Sequence, residues 1–357
     1  MARRKRGRAA QRIGALGALV GLLVGCSGGG GKHETKGLPD PAPGTVAAFD
    51  LDGLDSRFEL QRDVSDIPAL SHVTSGQEGN AYVMDSGSGQ PIDILRLTST
   101  GTVSRFASIE STAIPLGLAA LPDGVLAVGR KGGLLRVDGH STPTVLPTGH
   151  RFTYPVPIGV RPDGSLVVLD ADQVWSVKDG RTTLLAGEPS DGGSDGAVDG
   201  SGTTYALLDG KTTIADLLVI PPGQPPHALR VIGHLPGGSA PVSGLNVYAL
   251  AAAGDDGFYA TAGTHDGTAD YLIHVHGAAA DVLAAFGAPD KAATCAAGHR
   301  YPALGNPCVM PYFALPLGDR VLLVGQTDDA ATPALALRAP AAGVTNRQVR
   351  GTAPGNS

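Results

Sequence analysis

The chain has 357 residues, among them 52 Gly and 27 Pro, with 17% charged and 42% hydrophobic side chains. So much Gly and Pro excludes a helical bundle, because both residues are poor in helix interiors. The hydrophobic share excludes a chain that is disordered throughout, and the length allows either two domains or one large all-β unit.

Residues 1–12 carry Arg3, Arg4, Lys5, Arg6, Arg8 and Arg12 and no acid. The twelve residues from Ile13 to Val24 are apolar or Gly throughout. That is too short for a permanent membrane span and suits the core of an export signal. The run ends Leu23-Val24-Gly25-Cys26 and resembles a bacterial lipobox. The resemblance implies cleavage before Cys26, diacylation of that Cys, and a protein held by lipid on a membrane, facing outside the cytoplasm. Arg3-Arg4 would allow a twin-arginine route, but Lys5-Arg6-Gly7 follows where an apolar pair is wanted, which favours ordinary secretion. Ser27-Gly28-Gly29-Gly30-Gly31 and the Pro-rich stretch after it read as a flexible tether. The expected division is a signal peptide over 1–25, a tether over 26–57 and one folded domain over 58–357. Cleavage removes six bases and no acid and takes the formal net charge from −6 to −12. So acidic a domain is not expected to bind nucleic acid, and the lipid rather than a basic patch would hold it to the membrane.

The body of the chain repeats one strand pattern. One copy reads Pro115-Leu116-Gly117-Leu118-Ala119, then Pro122-Asp123-Gly124, Val125-Leu126-Ala127-Val128 and Leu134-Leu135-Arg136-Val137. The next reads Pro157-Ile158-Gly159-Val160, then Pro162-Asp163-Gly164, Leu166-Val167-Val168-Leu169-Asp170 and Val174-Trp175-Ser176-Val177. Looser copies begin at Gly79, Gly202, Gly257 and Gly318, so six glycines mark six units. Asp-Gly supplies the positive φ of a tight hairpin turn. The apolar runs are short and lack helical periodicity. A four-stranded unit of about 40 residues cannot bury both faces alone, so the units must pack radially around a channel. The fold class expected is all-β, a six-bladed β-propeller of four-stranded antiparallel blades. Either Phe58-Glu59-Leu60-Gln61-Arg62 or Thr345–Arg350 would add the strand that closes the ring.

Leu116-Gly117-Leu118-Ala119, the stretch from Asp163 to Asp170, and Leu184-Leu185-Ala186-Gly187 followed by Asp195-Gly196 resemble the NHL repeat family. The resemblance implies a propeller that binds proteins, carbohydrates or nucleic acids. Similar propellers include hydrolases and dehydrogenases. The acidic charge disfavours the nucleic-acid branch, and one Trp with 4% aromatic residues favours a protein, peptide or small-molecule ligand over a stacked sugar.

Cys295 and Cys308 remain once Cys26 is used by the lipid. Outside the cytoplasm they are expected to form a disulfide, with zinc held together with His299 as the rival. Asp191, Asp195 and Asp199 in a Gly-rich loop are the one candidate for calcium, although the spacing is not that of an EF-hand. His274 and His276 share a strand face, but aligned copies carry Arg96, Arg136 and Ser176 at the position of His274, so no metal is assigned to them. There is no nucleophile elbow, Walker A motif or dinucleotide fingerprint. The reading is therefore a binding or assembly module with no catalytic residue and no cofactor assigned. The alternative is an enzyme of lactonase, hydrolase or sugar-dehydrogenase type at the channel mouth. The candidate binding rim gathers loops that enter blades or join second and third strands: Arg130, Arg151, Tyr154, Asp170, Asp172, His265, Asp266, Arg300, Tyr301, Tyr312 and Asp328.

Overall fold

The computed structural model of the protein describes residues 37–50, 70–76, 79–85, 91–109, 115–188, 195–254, 257–287, 295–324 and 334–339. The first strand, β1 (Thr45–Phe49), belongs to the last blade. Blade one is β2 (Leu70–Ser75), β3 (Asn80–Asp85), β4 (Ile92–Thr98) and β5 (Val103–Ile109). Blade two is β6 (Pro115–Ala120), β7 (Leu126–Arg130), β8 (Gly133–Val137) and β9 (Thr144–Val145). Blade three is β10 (Val156–Val160), β11 (Leu166–Asp170), β12 (Gln173–Lys178) and β13 (Arg181–Gly187). Blade four is β14 (Asp195–Val198), β15 (Thr204–Leu207), β16 (Leu218–Ile220) and β17 (His227–Ala228). Blade five is β18 (Asn246–Ala252), β19 (Phe258–Gly263), β20 (Ala269–His276) and β21 (Ala279–Gly287). Two short strands follow, β22 (Arg300–Pro302) and β23 (Leu304–Asn306), before β24 (Phe313–Leu317), β25 (Arg320–Val324) and β26 (Ala334–Arg338) of blade six.

Within each blade the strands are antiparallel and joined in chain order, with the first innermost. The innermost strands β24, β2, β6, β10, β14 and β18 neighbour one another in that order, and β18 returns to β24. The ring is thus a closed six-bladed propeller. Among the described residues single 3₁₀ turns stand at Ile214–Asp216 and Val242–Gly244, and no helix is long and apolar enough to cross a membrane. The six marker glycines all sit between the first and second strands of their blades, and every one has positive φ, from 63° at Gly318 to 96° at Gly257. A positive-φ glycine at the same junction of all six blades marks the repeat.

The core is six separate layers, one at each junction between blades. Met84 and Ile94 of blade one meet Leu126 and Val128 of blade two, and Ala127 and Leu134 of blade two meet Leu166 and Val168 of blade three. Val167 and Leu169 then meet Val198 and Ala206, Tyr205 and Leu207 meet Phe258 and Ala260, and Leu272 and Phe286 meet Val321 and Leu323. Leu322 and Ala336 close the circle against Val83 and Leu95. Neighbouring residues such as Val167 and Val168 serve opposite junctions, because side chains alternate across a strand. Burial on both faces explains the near-continuous apolar runs in the sequence.

Blade six is closed by β1, which lies within the 26–57 stretch read from sequence as tether. It pairs with β26 through Val46↔Leu337 and Ala48↔Leu335 and with β22 through Val46↔Tyr301 and Ala47↔Arg300. The two segments expected to supply that strand, Phe58–Arg62 and Thr345–Arg350, lie outside the described residues. Cys295 and Cys308 form the expected disulfide, with Cα atoms 5.2 Å apart. It staples the segment that bears β22 and β23. Beside that staple, Gly298 N–H donates to Ala48 O at 2.7 Å, and His299 O accepts from Ala48 N–H at 2.9 Å. β23 adds a fifth strand, parallel to β21, to blade five, and β22 adds one to blade six, antiparallel to β1.

Candidate functional site at the channel mouth

The inner strands are sheet edges, which is why Pro115, Pro157 and Pro316 are tolerated in them. They surround a cavity of about 1150 Å³ along the axis of the ring. Four carry a β-bulge near their start: β2 between Leu70 and His72, β6 between Pro115 and Gly117, β10 between Pro157 and Gly159, and β18 between Val247 and Ala249. A bulge re-aims the extra residue. In β6, β10 and β18 the extra residues are Leu116, Ile158 and Tyr248, and all three line the cavity. The residue that follows must be small. A Cβ at Gly159 would lie 2.7 Å from Val198 Cβ of the next inner strand. The Pro-Leu-Gly and Pro-Ile-Gly motifs therefore encode both the aim of one side chain and the tightness of the ring.

Asp195, the first residue of β14, lines the same end of the cavity. One oxygen accepts from Gly196 N–H at 2.7 Å, and the other accepts from Leu250 N–H of β18 at 2.9 Å. The carboxylate thereby satisfies an unpaired N–H on the channel edge of the neighbouring blade. Burial dominates its surroundings and pushes its pKa up to about 6, against the two backbone bonds that would lower it. Two residues from Leu250, the Tyr248 hydroxyl donates to Asp270 Oδ1 at 2.9 Å, and its ring stacks on Tyr312 with centroids 5.8 Å apart. Burial raises the pKa of Asp270 as well. Tyr248 is also raised, first by burial and then by its bond to that carboxylate. Arg161 and Arg320 line the opposite end of the cavity. Arg161 donates to Thr204 Oγ1 and Ile220 O at 3.1 and 3.2 Å, and Arg320 donates to Ser99 O at 3.1 Å.

Some of the sequence-predicted rim residues are brought together. Asp170 is buried and accepts from Thr153 and Tyr154 N–H at 2.9 and 2.6 Å, so it fixes the loop that leads into blade three. On that loop Tyr154 is exposed, with Lys131 Nζ 5.8 Å from its ring centre, one residue beyond Arg130. Arg151 lies on the same loop, and buried Asp172 sits just beyond Asp170 in a turn of positive φ. His265 lies 3.4 Å from Asn246, Asp266 holds its own turn through Thr268, and Tyr312 joins Tyr248. Arg300 and Tyr301 do not join this set. They stand on β22 at the outer edge of blade six, where Arg300 donates to Asp40 O and the Tyr301 hydroxyl accepts from Ala296 N–H. Asp328 lies outside the described residues.

The candidate calcium loop does not gather its acids. Asp191 lies outside the described residues, and Asp195 and Asp199 flank β14, about 13 Å apart at the rise of a strand. Asp199 is saturated by Thr203 N–H, Ser201 Oγ–H, Tyr205 O–H and Gly257 N–H. His276 is drawn to Asp281 at 3.1 Å. Among the described residues no group of three or more His, Cys, Asp or Glu converges.

Tyr248, Asp270, Arg161 and Arg320 were not legible as site residues in the sequence. A signal existed for Tyr248: it occupies the bulge position held by Leu116 and Ile158 in the clearer copies.

No family model matches the chain, and no curated protein matches it in sequence. Solved structures resemble it in fold. A gluconolactonase from Xanthomonas campestris is 14% identical over 85% of this chain and all of its own, with a TM-score of 0.45. A calcium-binding protein, regucalcin, from Agrobacterium tumefaciens is 14% identical over 76% of this chain and 89% of its own, with a TM-score of 0.45. Virginiamycin B lyase from Staphylococcus aureus is 12% identical over 64% of this chain and 72% of its own, with a TM-score of 0.40. At such identities the likeness concerns the fold alone.

Proposed function

We propose that this protein is an extracytoplasmic lipoprotein, anchored through Cys26, whose NHL-like propeller binds a peptide or small molecule at the channel mouth where the inner strands begin. The observation that carries the reading is the cavity of about 1150 Å³ into which three bulges aim Leu116, Ile158 and Tyr248. A large concave space with a few convergent polar groups is the usual form of a ligand site. The exposed Tyr154 and Tyr312 beside the mouth add apolar surface for a ligand that projects from it. The acidic domain argues against nucleic acid, and the basic and apolar N-terminus ending in Cys26 supports export and lipid attachment.

A thermal-shift screen of metabolites and short peptides tests the reading, run on wild type and on Leu116→Trp, whose indole fills the mouth. Compounds that stabilise wild type but not Leu116→Trp support it. A screen with no hits, or with hits that stabilise both alike, counts against it. Cys26→Ala is expected to move the protein from the membrane to the soluble fraction, and retention on the membrane would refute the anchor.

The second reading, an enzyme at the same mouth, is favoured by one observation. The Asp195 carboxyl lines the cavity, and burial pushes its pKa up to about 6, which suits proton transfer close to neutral pH. Chemical conversion of a bound hit, lost in Asp195→Asn, would select it over simple binding.

A further inference from the structure

The channel mouth holds a carboxylate that the protein itself leaves unmatched. Asp195 has its two backbone donors and no ion pair: none of the described Lys, Arg or His side chains pairs with it. Capping an edge N–H needs only an acceptor, which Asn, Ser or Thr supplies without charge. Holding a charge with no partner at a partly buried position is costly. The nearest cationic lining residues, Arg161 and Arg320, stand at the far end of the cavity and spend donors on Thr204, Ile220 and Ser99. Each oxygen of Asp195 keeps lone-pair capacity beyond the one N–H it accepts.

The surroundings describe the rest of the occupant. Leu116 and Ile158 offer aliphatic surface in the same cavity. Tyr248 offers an aromatic face whose position is fixed twice, by the stack on Tyr312 and by the bond to Asp270. Asp270 is a buried carboxylate beside it, and its only described partner is that phenol. Electron-rich rings and unpaired carboxylates both attract cations.

We propose that the channel mouth binds an organic cation, a primary ammonium group on an aliphatic or aromatic body, with the ammonium on Asp195 and the body against Leu116, Ile158 and Tyr248. The inference rests on the channel being a ligand site and names the class of ligand. It accounts for a full negative charge at a position where the backbone asks only for acceptor oxygens.

Isothermal titration calorimetry of the full-length protein in nonionic detergent tests it with three probes of one shape: phenethylammonium, 2-phenylethanol and 3-phenylpropionate. Wild type is expected to bind the ammonium about tenfold to a hundredfold more tightly than the alcohol, and the carboxylate least, as a charge-assisted bond in a desolvated site requires. In Asp195→Asn the preference for ammonium over alcohol should fall to about twofold or less, because a neutral amide removes that bond. The order of the three probes in wild type stands as evidence even if the variant does not fold. No binding of phenethylammonium at millimolar concentration, equal binding of ammonium and alcohol, or an ammonium preference kept in Asp195→Asn each overturns the inference. If ammonium and alcohol bind wild type equally and both are lost in Leu116→Trp, the channel reading survives and the cation does not. If the ammonium binds Leu116→Trp as well as wild type, the channel reading fails too.

Discussion

Deleting residues 1–36 and deleting residues 1–50 should give very different proteins. The shorter deletion leaves β1 in place, with Leu38 packed in the junction of blades one and six and Asp40 paired with Arg338. The longer deletion removes the strand that closes the ring. Val46 is fully buried, Ala47 and Ala48 are nearly so, and Phe49 is 8% exposed. Burying Val and Phe contributes about 2 kcal/mol each and the two Ala methyls about 1 kcal/mol each, or roughly 6 kcal/mol together. That compares with the roughly 5–15 kcal/mol that separates folded from unfolded states. It omits the N–H and C=O groups of β26 and β22 that would lose their partners. The assay is urea denaturation followed by fluorescence of the single tryptophan, Trp175, which lies in blade three, far along the ring. With a slope near 3 kcal/mol per molar, the longer deletion should unfold about 2 M earlier, or not fold at all. Equal midpoints for the two deletions would show that β1 is a dispensable edge and that the closure described above is wrong.

Three further outcomes are expected. Replacing Cys295 and Cys308 by Ser should cost about 3 kcal/mol through the freed loop, read as a lower urea midpoint matched by wild type under reductant; an unchanged midpoint would deny the staple its role. Asp195→Asn should raise stability at pH 7. The native carboxyl, held near pKa 6 against an ordinary 3.8, binds a proton more readily than in the unfolded chain, so wild type gains stability as pH falls through 6 towards 4. That difference corresponds to about 3 kcal/mol at pH 7, less about 1 kcal/mol for the acceptor that Asn lacks. A net gain near 2 kcal/mol should therefore fade by pH 4 in paired denaturation curves, and a pH-independent difference would refute it. Gly124→Ala and Gly257→Ala should separate clearly, although both glycines have positive φ. A Cβ at Gly124 meets nothing within 4 Å, so the loss is about 1 kcal/mol, whereas at Gly257 it would fall 1.9 Å from Val275 O and cost about 4 kcal/mol. Similar melting temperatures for the two would contradict the packing of blade five.

The repeating part of the fold was legible because each blade solves the same local problem. Gly79, Gly124, Gly164, Gly202, Gly257 and Gly318 each mark a positive-φ position between first and second strands, and the apolar runs beside them are the strands that fill the six junctions. The closing strand was hidden because Thr45–Phe49 continues a Pro- and Gly-rich stretch holding Pro41, Pro43 and Gly44 and stands apart from the repeating units. It is a strand only because β26 and β22 pair with it, and that is long-range information. For the same reason Arg300 and Tyr301 were placed on the binding rim, when the stapled segment turns back to cover β1. The site was the least visible part. Asp195, Tyr248 and Asp270 come from strands of two blades, and nothing local in the sequence links them. Asp195 was noticed only as a loop acid, although its backbone partner lies fifty-five positions away.

With Cys26 as the anchor, as proposed, twelve positions separate it from Leu38, the first side chain packed in the domain, a leash of about 40 Å at full stretch. Any drag on the domain then falls on the very segment that keeps the wheel shut. Because that segment is zipped along both margins, tension pulled along its axis is shared sideways by many bonds at once instead of peeling them in turn. The latch and the mooring point are the same piece of chain, and the cystine beside it keeps the outer margin from fraying under load.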